Sequence, residues 1–479
     1  MTRHLEEYSA DTGDFAAESL RTQTRRLIAE ERRDGGQVAP LSSAQHRLWL
    51  LAELDPLDSA YVEVVTVRLT GTYDVARLRV AFAELVARHA SLRTAIAVGH
   101  RGPVQVVAPP EGTLLDVVPG QVDEIGNDAL LAKLTDIGLL APFDLADGPL
   151  WRAQLRTISP TDAVLVLVIH HVVWDGTSAQ VLLDELTALY DFIEDWGDAP
   201  PPSPVDYPEY ARTERAGLDD DAHSHSLAYW AKRLSGVPGP LWPETPAAQE
   251  RATGVVERRI RPELVRELRE LTETVNCTPF MVALACVAIA ARPYAAQDEI
   301  ALGVPVSVRP PNAAQVIGHF LNLLPVRIDL PRAASRRSFV ESVRDRWVEL
   351  TAHHHVPFDR IVEELTSAGS RGNAPYAQLM FQYNRLPRPV LTADGVRWDL
   401  DWLPGRKPKC DVLVAWNETS EGVTTRIEYD AGRVSTEAAT RLADGIQDMV
   451  SALTLDLDAS VQTLPGFPAP DAPSLPLRP

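Results

Sequence analysis

The run His170-His171-Val172-Val173-Trp174-Asp175-Gly176 puts two imidazoles, a carboxylate and a glycine within seven residues. Histidine is the side chain most readily used for proton transfer near neutral pH. A glycine N–H at a helix start can hold a developing oxyanion. One short segment therefore offers a base, an acid and an anion site, a combination suited to acyl transfer.

The flanking residues indicate how the run is held. Positions 163–169 are continuously apolar and read as a buried strand. After Gly176, the residues Leu182, Leu186, Leu189, Ile193 and Trp196 recur at helical spacing, with Thr177 or Ser178 as a cap. The run thus sits at a strand-to-helix junction. If the strand persists through both histidines they face opposite sides, because strand side chains alternate. Leu78, Phe82, Leu85 and His89 predict a helix over 75–89 with Asp74 as N-cap. A second half shows helix patterns at 262–274, 279–291, 338–351 and 435–453. Strand patterns occupy 300–308, 324–330, 377–384, 411–417 and 423–429. Strands and helices mixed in both halves give an α/β (α+β) fold class. The polar stretch 1–37 reads as a leader or docking arm, 200–208 as a Pro-rich connection and 464–479 as a Pro-rich tail.

Composition narrows the function classes. With 46 basic against 66 acidic residues the net charge is −20, which disfavours phosphate-backbone binding and hence nucleic acid as a partner. Three cysteines, Cys277, Cys286 and Cys410, form neither a disulfide framework nor a metal spacing. The apolar run 280–291 is too short to span a bilayer, so no membrane partner is expected. The polar N-terminus and reduced cysteines point to a cytoplasmic protein. His353-His354-His355 looks metal-like, but consecutive histidines rarely converge on one ion, and no metal is expected.

Further segments join the first run in order. They are Ser42-Ser43-Ala44-Gln45-His46-Arg47-Leu48-Trp49-Leu50-Leu51, Arg88-His89-Ala90-Ser91-Leu92-Arg93-Thr94, Tyr207-Pro208-Glu209-Tyr210-Ala211, Ile317-Gly318-His319-Phe320-Leu321-Asn322 and His355-Val356-Pro357-Phe358-Asp359. Together the six resemble the motifs of condensation domains of nonribosomal peptide synthetases, across roughly residues 40–455. The resemblance implies two chloramphenicol-acetyltransferase-like lobes in a V shape with a central tunnel. On that basis the lobes are expected at 38–205, carrying the catalytic motif, and at 206–463. Two departures bear on substrate class. Ala60-Tyr61-Val62-Glu63-Val64 stands where the family often has Tyr-Asn-x-Pro, and Trp174 precedes the motif Asp where a small residue is usual. A last family motif survives only loosely at 370–375.

The resemblance also assigns roles. His171 is the catalytic imidazole and Gly176 holds the oxyanion or admits close backbone approach, while His170 is structural. Asp175 is expected to pair with an arginine, Arg93 first and Arg309 second, rather than touch substrate. Trp174, Asn322 and Ser178 are candidates to line the tunnel, with packing or core hydrogen bonding as the alternative for the first two. Either Arg258, Arg259 and Arg261 or Arg336 and Arg337 form a local basic carrier-docking patch or a solvated face. The implied reaction joins an acyl or aminoacyl thioester to an amine or an alcohol in natural-product biosynthesis. No bound cofactor is expected. Substrates ride on the phosphopantetheine of peptidyl carrier proteins, a donor and also an acceptor carrier or a small-molecule acceptor. Met1 and the leader favour a free-standing enzyme over an excised domain. A coenzyme A-dependent acyltransferase and a non-catalytic carrier-recruiting platform are the other readings of the same fold.

Overall fold

The computed structural model describes residues 37–464 except 101, 111–114, 120–126, 137, 195–199, 219–220, 237–240, 243–251, 296–297, 331–333, 368–377 and 420–421. The expected leader (but for Gln37), the tail (but for Leu464) and the loose motif at 370–375 lie outside the described residues. In chain order the strands are β1 (Gln37–Pro40), β2 (Val62–Thr70), β3 (Thr94–Gly99), β4 (Gly102–Val107), β5 (Asp116–Pro119), β6 (Trp151–Ser159), β7 (Asp162–His170), β8 (Thr253–Ile260), β9 (Glu299–Ser307), β10 (Leu321–Asp329), β11 (Leu379–Arg385), β12 (Val390–Leu391), β13 (Arg397–Leu403), β14 (Val412–Thr419) and β15 (Gly422–Asp430). The helices are α1 (Ser43–Leu54), α2 (Val75–Arg88), α3 (Asn127–Asp136), α4 (Gly176–Phe192), α5 (Tyr207–Gly217), α6 (Asp221–Leu234), α7 (Pro262–Thr274), α8 (Pro279–Ala290), α9 (Arg336–Thr351), α10 (Phe358–Ser367) and α11 (Thr436–Leu455).

These elements form two units of mixed α/β structure. The first comprises Met1–Leu218, Arg309–Phe320 and Pro389–Leu403; the second comprises Asp219–Val308, Leu321–Arg388 and Pro404–Pro479. The division is not the sequential cut at 205/206 expected above. Helix α5 stays with the first unit, and two later segments are folded into it. The reason is visible in the first unit's sheet, ordered β12-β13-β2-β7-β6-β5. Strand β13 lies antiparallel to β2, pairing Trp398 with Leu69 and Leu400 with Val67. Trp398 has no exposed surface and meets Tyr190 of α4 edge-on at 5.4 Å.

Alternation sets which side chains this sheet offers to each layer. Val65, Val67 and Leu69 of β2 and Leu165, Leu167 and Ile169 of β7 share one face. They pack with Leu78, Phe82 and Leu85 of α2 and Leu182, Leu186 and Leu189 of α4. Val62, Val64, Val166 and Val168 occupy the other face with Leu130 and Leu134 of α3. Asp74 caps α2 through the N–H groups of Ala76 and Arg77, as its sequence position predicts. Strands β1, β4 and β3 make a separate small sheet.

The second unit is built on a sheet ordered β10-β9-β11-β14-β15-β8. Helix α8 is its central core element. From Val282 to Ile289 no residue has exposed surface, which accounts for an apolar run without amphipathic period. Thr278 caps it, with Pro279 in the first turn where its missing N–H costs nothing. Among the described residues no single helix is long and apolar enough to cross a membrane.

Trp398→Ala tests the assignment of β13 to the first unit. Large-to-small truncation at a fully buried tryptophan is expected to cost about 3–5 kcal/mol, read as a lowered midpoint in urea denaturation. A surface-like change below about 0.5 kcal/mol would remove β13 from that core.

Candidate active site

Strand β7 ends at His170, and residues His171–Val173 make a single 3-10 turn before α4 begins at Gly176. Strand pairing carries one step past the sheet. The register sets Val62 opposite His170, and the next backbone N–H, that of His171, donates to Tyr61 O at 2.8 Å. The two histidines diverge as alternation predicts. His170 faces the α3 side, where its ring meets Phe143 edge-on at 6.2 Å. Its Nδ1 accepts from the Val172 N–H at 3.1 Å, so its role is to cap the turn.

His171 is held from the opposite ring atom. Its Nδ1 lies 2.5 Å from Trp174 O. A carbonyl only accepts, so Nδ1 carries the proton. Nε2 lies 3.3 Å from Glu63 Oε1 of β2. A third ring stands beside them. His319 meets His171 edge-on at 4.7 Å between centroids, and its Nδ1 donates to the same Trp174 O at 3.2 Å. One backbone carbonyl thus orients two imidazoles.

Asp175 has no exposed surface. Its carboxylate accepts from Arg309 at 2.8 and 3.0 Å, from the Ser178 N–H and Oγ at 2.8 Å each, and from the Phe320 N–H at 3.0 Å. It caps α4 and ties that helix to the 309–320 segment. The partner is therefore Arg309, the second of the two expected arginines. Arg93 is corrected: its guanidinium donates to Val86 O and Ala87 O at 3.2 Å and to Ala108 O, closing the end of α2. Arg309 also donates to Ala313 O and Val316 O, shaping its own loop.

Three of the remaining motifs converge on residues 317–320. Ser91 Oγ donates to Ile317 O at 2.6 Å, and His89 Nδ1 accepts from the Ile317 N–H at 3.3 Å. Ser178 Oγ accepts from the Gly318 N–H at 3.0 Å. Tyr207 donates to His319 O at 2.6 Å and meets Ser42 Oγ at 2.9 Å. Complete burial raises the Tyr207 phenol well above its ordinary value, so it stays a donor. Gly318 is required by this closeness, since a Cβ there would lie 2.1 Å from Tyr207 Cδ2.

These contacts revise the three tunnel candidates. Trp174 and Ser178 have no exposed surface. The indole packs in the core while its carbonyl serves the imidazoles, and the Ser178 hydroxyl is spent on Asp175 and Gly318. Asn322, in the second unit, donates to His354 O at 2.9 Å and Val356 O at 2.7 Å and accepts from the Phe358 N–H. It holds the His355-Val356-Pro357-Phe358 turn. Gly176 is exposed at the first position of α4, and a Cβ there would meet nothing within 4 Å. Its N–H belongs to the helix's free first turn. Of the candidate docking arginines, Arg336 is buried and bonded to Ala452 O and Asp456 O, whereas Arg258 and Arg337 pair with Asp444 and Asp458. Among the described residues no group of three or more His, Cys, Asp or Glu could hold a metal ion.

Sequence reasoning did not single out Glu63 or His319. Each carried a signal. Glu63 is the one charged residue in Val62-Glu63-Val64-Val65-Thr66-Val67, on the face that alternation gives to the core. His319 occupies a variable slot of its motif.

Arg309→Ala leaves the Asp175 carboxylate buried without its cation and is expected to cost about 3–5 kcal/mol. Arg93→Ala is expected to cost less than half of that, both read by chemical denaturation. Equal losses would sink the assignment of Arg309 as the critical partner. Gly176→Ala is expected to leave the thermal midpoint within about 2 °C of wild type, since its methyl group enters open space.

The condensation-domain family model matches residues 36–469. A chondramide synthase of Chondromyces crocatus is 30% identical over 437 residues, which is 88% of this chain and 11% of that protein. A dimodular nonribosomal peptide synthase of Bacillus subtilis is 30% identical over 456 residues, 91% of this chain and 19% of that protein. The chain therefore spans less than a fifth of the length of these relatives. Two solved structures share the fold. The first condensation domain of the calcium-dependent antibiotic synthetase, in complex with substrate analogue 3a, has a TM-score of 0.76 at 24% identity, covering 89% of this chain and 98% of that one. SgcC5 protein from Streptomyces globisporus, in complex with a naphthyl ethanediol and sucrose, has a TM-score of 0.74 at 24% identity, covering 88% and 100%. With the family match running over most of its length, the chain belongs to the condensation-domain family of nonribosomal peptide synthetases.

Proposed function

We propose that this chain joins an acyl or aminoacyl thioester, carried on the phosphopantetheine of a carrier protein, to an amine or alcohol acceptor. The observation that carries the reading is the orientation of His171. Its Nδ1 is committed to Trp174 O, which leaves Nε2 to exchange a proton with a nucleophile. Gly176 supplies the second part, the backbone N–H of an exposed residue at the positive end of α4, suited to the oxyanion of a tetrahedral intermediate. Asp175 and His170 support the geometry and do not meet substrate. In the reaction the acceptor heteroatom bonds to the thioester carbon, the C–S bond breaks, and a proton lost by the acceptor reaches the departing sulfur.

Intact-carrier mass spectrometry tests this. A carrier loaded with a panel of acyl groups is mixed with pooled amines and alcohols and with wild type or His171→Ala. Acyl loss with formation of an amide or ester is expected, slowed at least about a hundredfold in the variant. Carrier binding with every thioester intact would favour a recruiting platform. Turnover of coenzyme A thioesters but not carrier thioesters would favour the coenzyme A-dependent reading.

A further inference from the structure

His319 sits in a segment whose backbone is fixed without help from its side chain. The Tyr207 hydroxyl donates to His319 O at 2.6 Å. On either side, the Gly318 N–H donates to Ser178 Oγ and the Phe320 N–H to Asp175, each at 3.0 Å. The residue is 2% exposed, and its imidazole reaches the turn that carries His171. Its Nδ1 donates to Trp174 O at 3.2 Å, the same oxygen that takes the His171 Nδ1–H at 2.5 Å. The two rings stand edge-on, 4.7 Å between centroids and 73° between planes. Trp174 has no exposed surface, so bulk water does not reach its carbonyl.

A carbonyl oxygen has two lone pairs, lying roughly in the plane of its peptide group. With an imidazole N–H on each, neither ring can take the other's place. Without the His319 donor the second lone pair is open, and the His171 N–H can turn toward it and tilt its ring. The torsion about the bond from Cβ to a histidine ring is broad, so it does not fix the ring plane by itself. The anchor at His171 Nδ1 is a neutral carbonyl, whose hydrogen bonds tolerate a wide range of directions. His319 removes that freedom, by filling the second lone pair and by standing against the ring. The Tyr61 ring, at 6.4 Å and 51°, is a looser neighbour of His171.

We propose that His319 is a positioning residue, whose Nδ1–H occupies the second lone pair of the Trp174 carbonyl and so holds the His171 imidazole in one orientation and one tautomer. Its effect on turnover rests on the condensation reading above; its effect on the ring does not. The role belongs to the hydrogen bond more than to packing. An asparagine amide can place an N–H donor about where the histidine Nδ1–H stands, since both nitrogens lie two bonds beyond Cβ. Phenylalanine keeps a ring and has no donor. The clamp on 317–320 engages backbone atoms, so neither substitution removes one of its bonds.

The test compares wild type, His319→Asn and His319→Phe in two readouts. One is turnover of an acyl-carrier donor with an amine acceptor, resolved into kcat and KM. The other is the NMR spectrum of isotopically labelled histidine rings, with His171 assigned by its loss in His171→Asn, which reports the tautomer and exchange of that ring. His319→Phe is expected to lower kcat at least about tenfold, as a small misplacement of a reacting group does, while KM changes less than about threefold. Its His171 resonances are expected to broaden or to show the second tautomer. His319→Asn is expected to keep kcat within about threefold of wild type, with one sharp His171 tautomer. Thermal midpoints measured in parallel report folding, and His319→Leu is the second donor-free variant if the larger ring prevents it. Equal losses in the asparagine and phenylalanine variants, a loss confined to KM, or an unchanged His171 spectrum in His319→Phe would each overturn the proposal. A His171 ring that loses its order in His319→Phe, in a protein whose wild type turns over no thioester, would instead fault the condensation reading and leave the positioning role standing.

Discussion

A carboxylate without exposed surface cannot remain charged inside a protein unless its charge is matched nearby. Asp175 is that carboxylate, and the first unit is arranged around matching it. Arg309 supplies the cation from 134 positions later in the chain, and Ser178 and Phe320 supply backbone N–H groups. Buried pairs of this kind add little net stability over an apolar core, but they admit few alternative partners. Here that exclusiveness fixes the start of α4, and with it Gly176, against the 317–320 segment that carries His319. The Asp175 pair thus sets register and the apolar layers supply the stability.

The orientation of His171 follows from the same turn. Many reactive histidines are oriented by a carboxylate on the ring nitrogen away from the substrate, which also stabilises the imidazolium. Here that place is taken by the neutral carbonyl of Trp174, and the carboxylate, Glu63, stands at Nε2.

Much of this was readable in the residues. The apolar run 163–169, the helical spacing after Gly176 and the separation of His170 from His171 follow from strand and helix periods. The membership in an acetyltransferase-like fold followed from six ordered motifs, each of which proves to have a structural reason. Ser42, Ser91, Ser178 and Tyr207 all meet the 317–320 backbone or its clamp. What was not readable depends on contacts distant in sequence. Nothing local distinguishes Arg93 from Arg309 as the partner of Asp175, since both are arginines beside a turn. For Trp174 and Asn322, packing and core hydrogen bonding stood beside the tunnel reading because motif membership says nothing of burial, and the structure takes the core alternatives. Strand β13 escaped because Arg397-Trp398-Asp399-Leu400-Asp401 alternates over only a few residues, and its pairing with β2 lies more than three hundred positions away. Glu63 was legible as an oddity in an apolar strand, but its meaning required the register of β2 against β7.

The intrusion of Arg309–Phe320 and Pro389–Leu403 into the first unit has a consequence for how such chains can be recombined. An exchange of residues 1–218 between relatives would leave Asp175 facing a foreign arginine loop and β2 facing a foreign edge strand. A graft of the first unit therefore has five seams, at 218/219, 308/309, 320/321, 388/389 and 403/404, and the portable piece is discontinuous. The same threading governs synthesis. The histidine turn leaves the ribosome long before the residues that hold it, so it acquires its geometry only once most of the chain has been made.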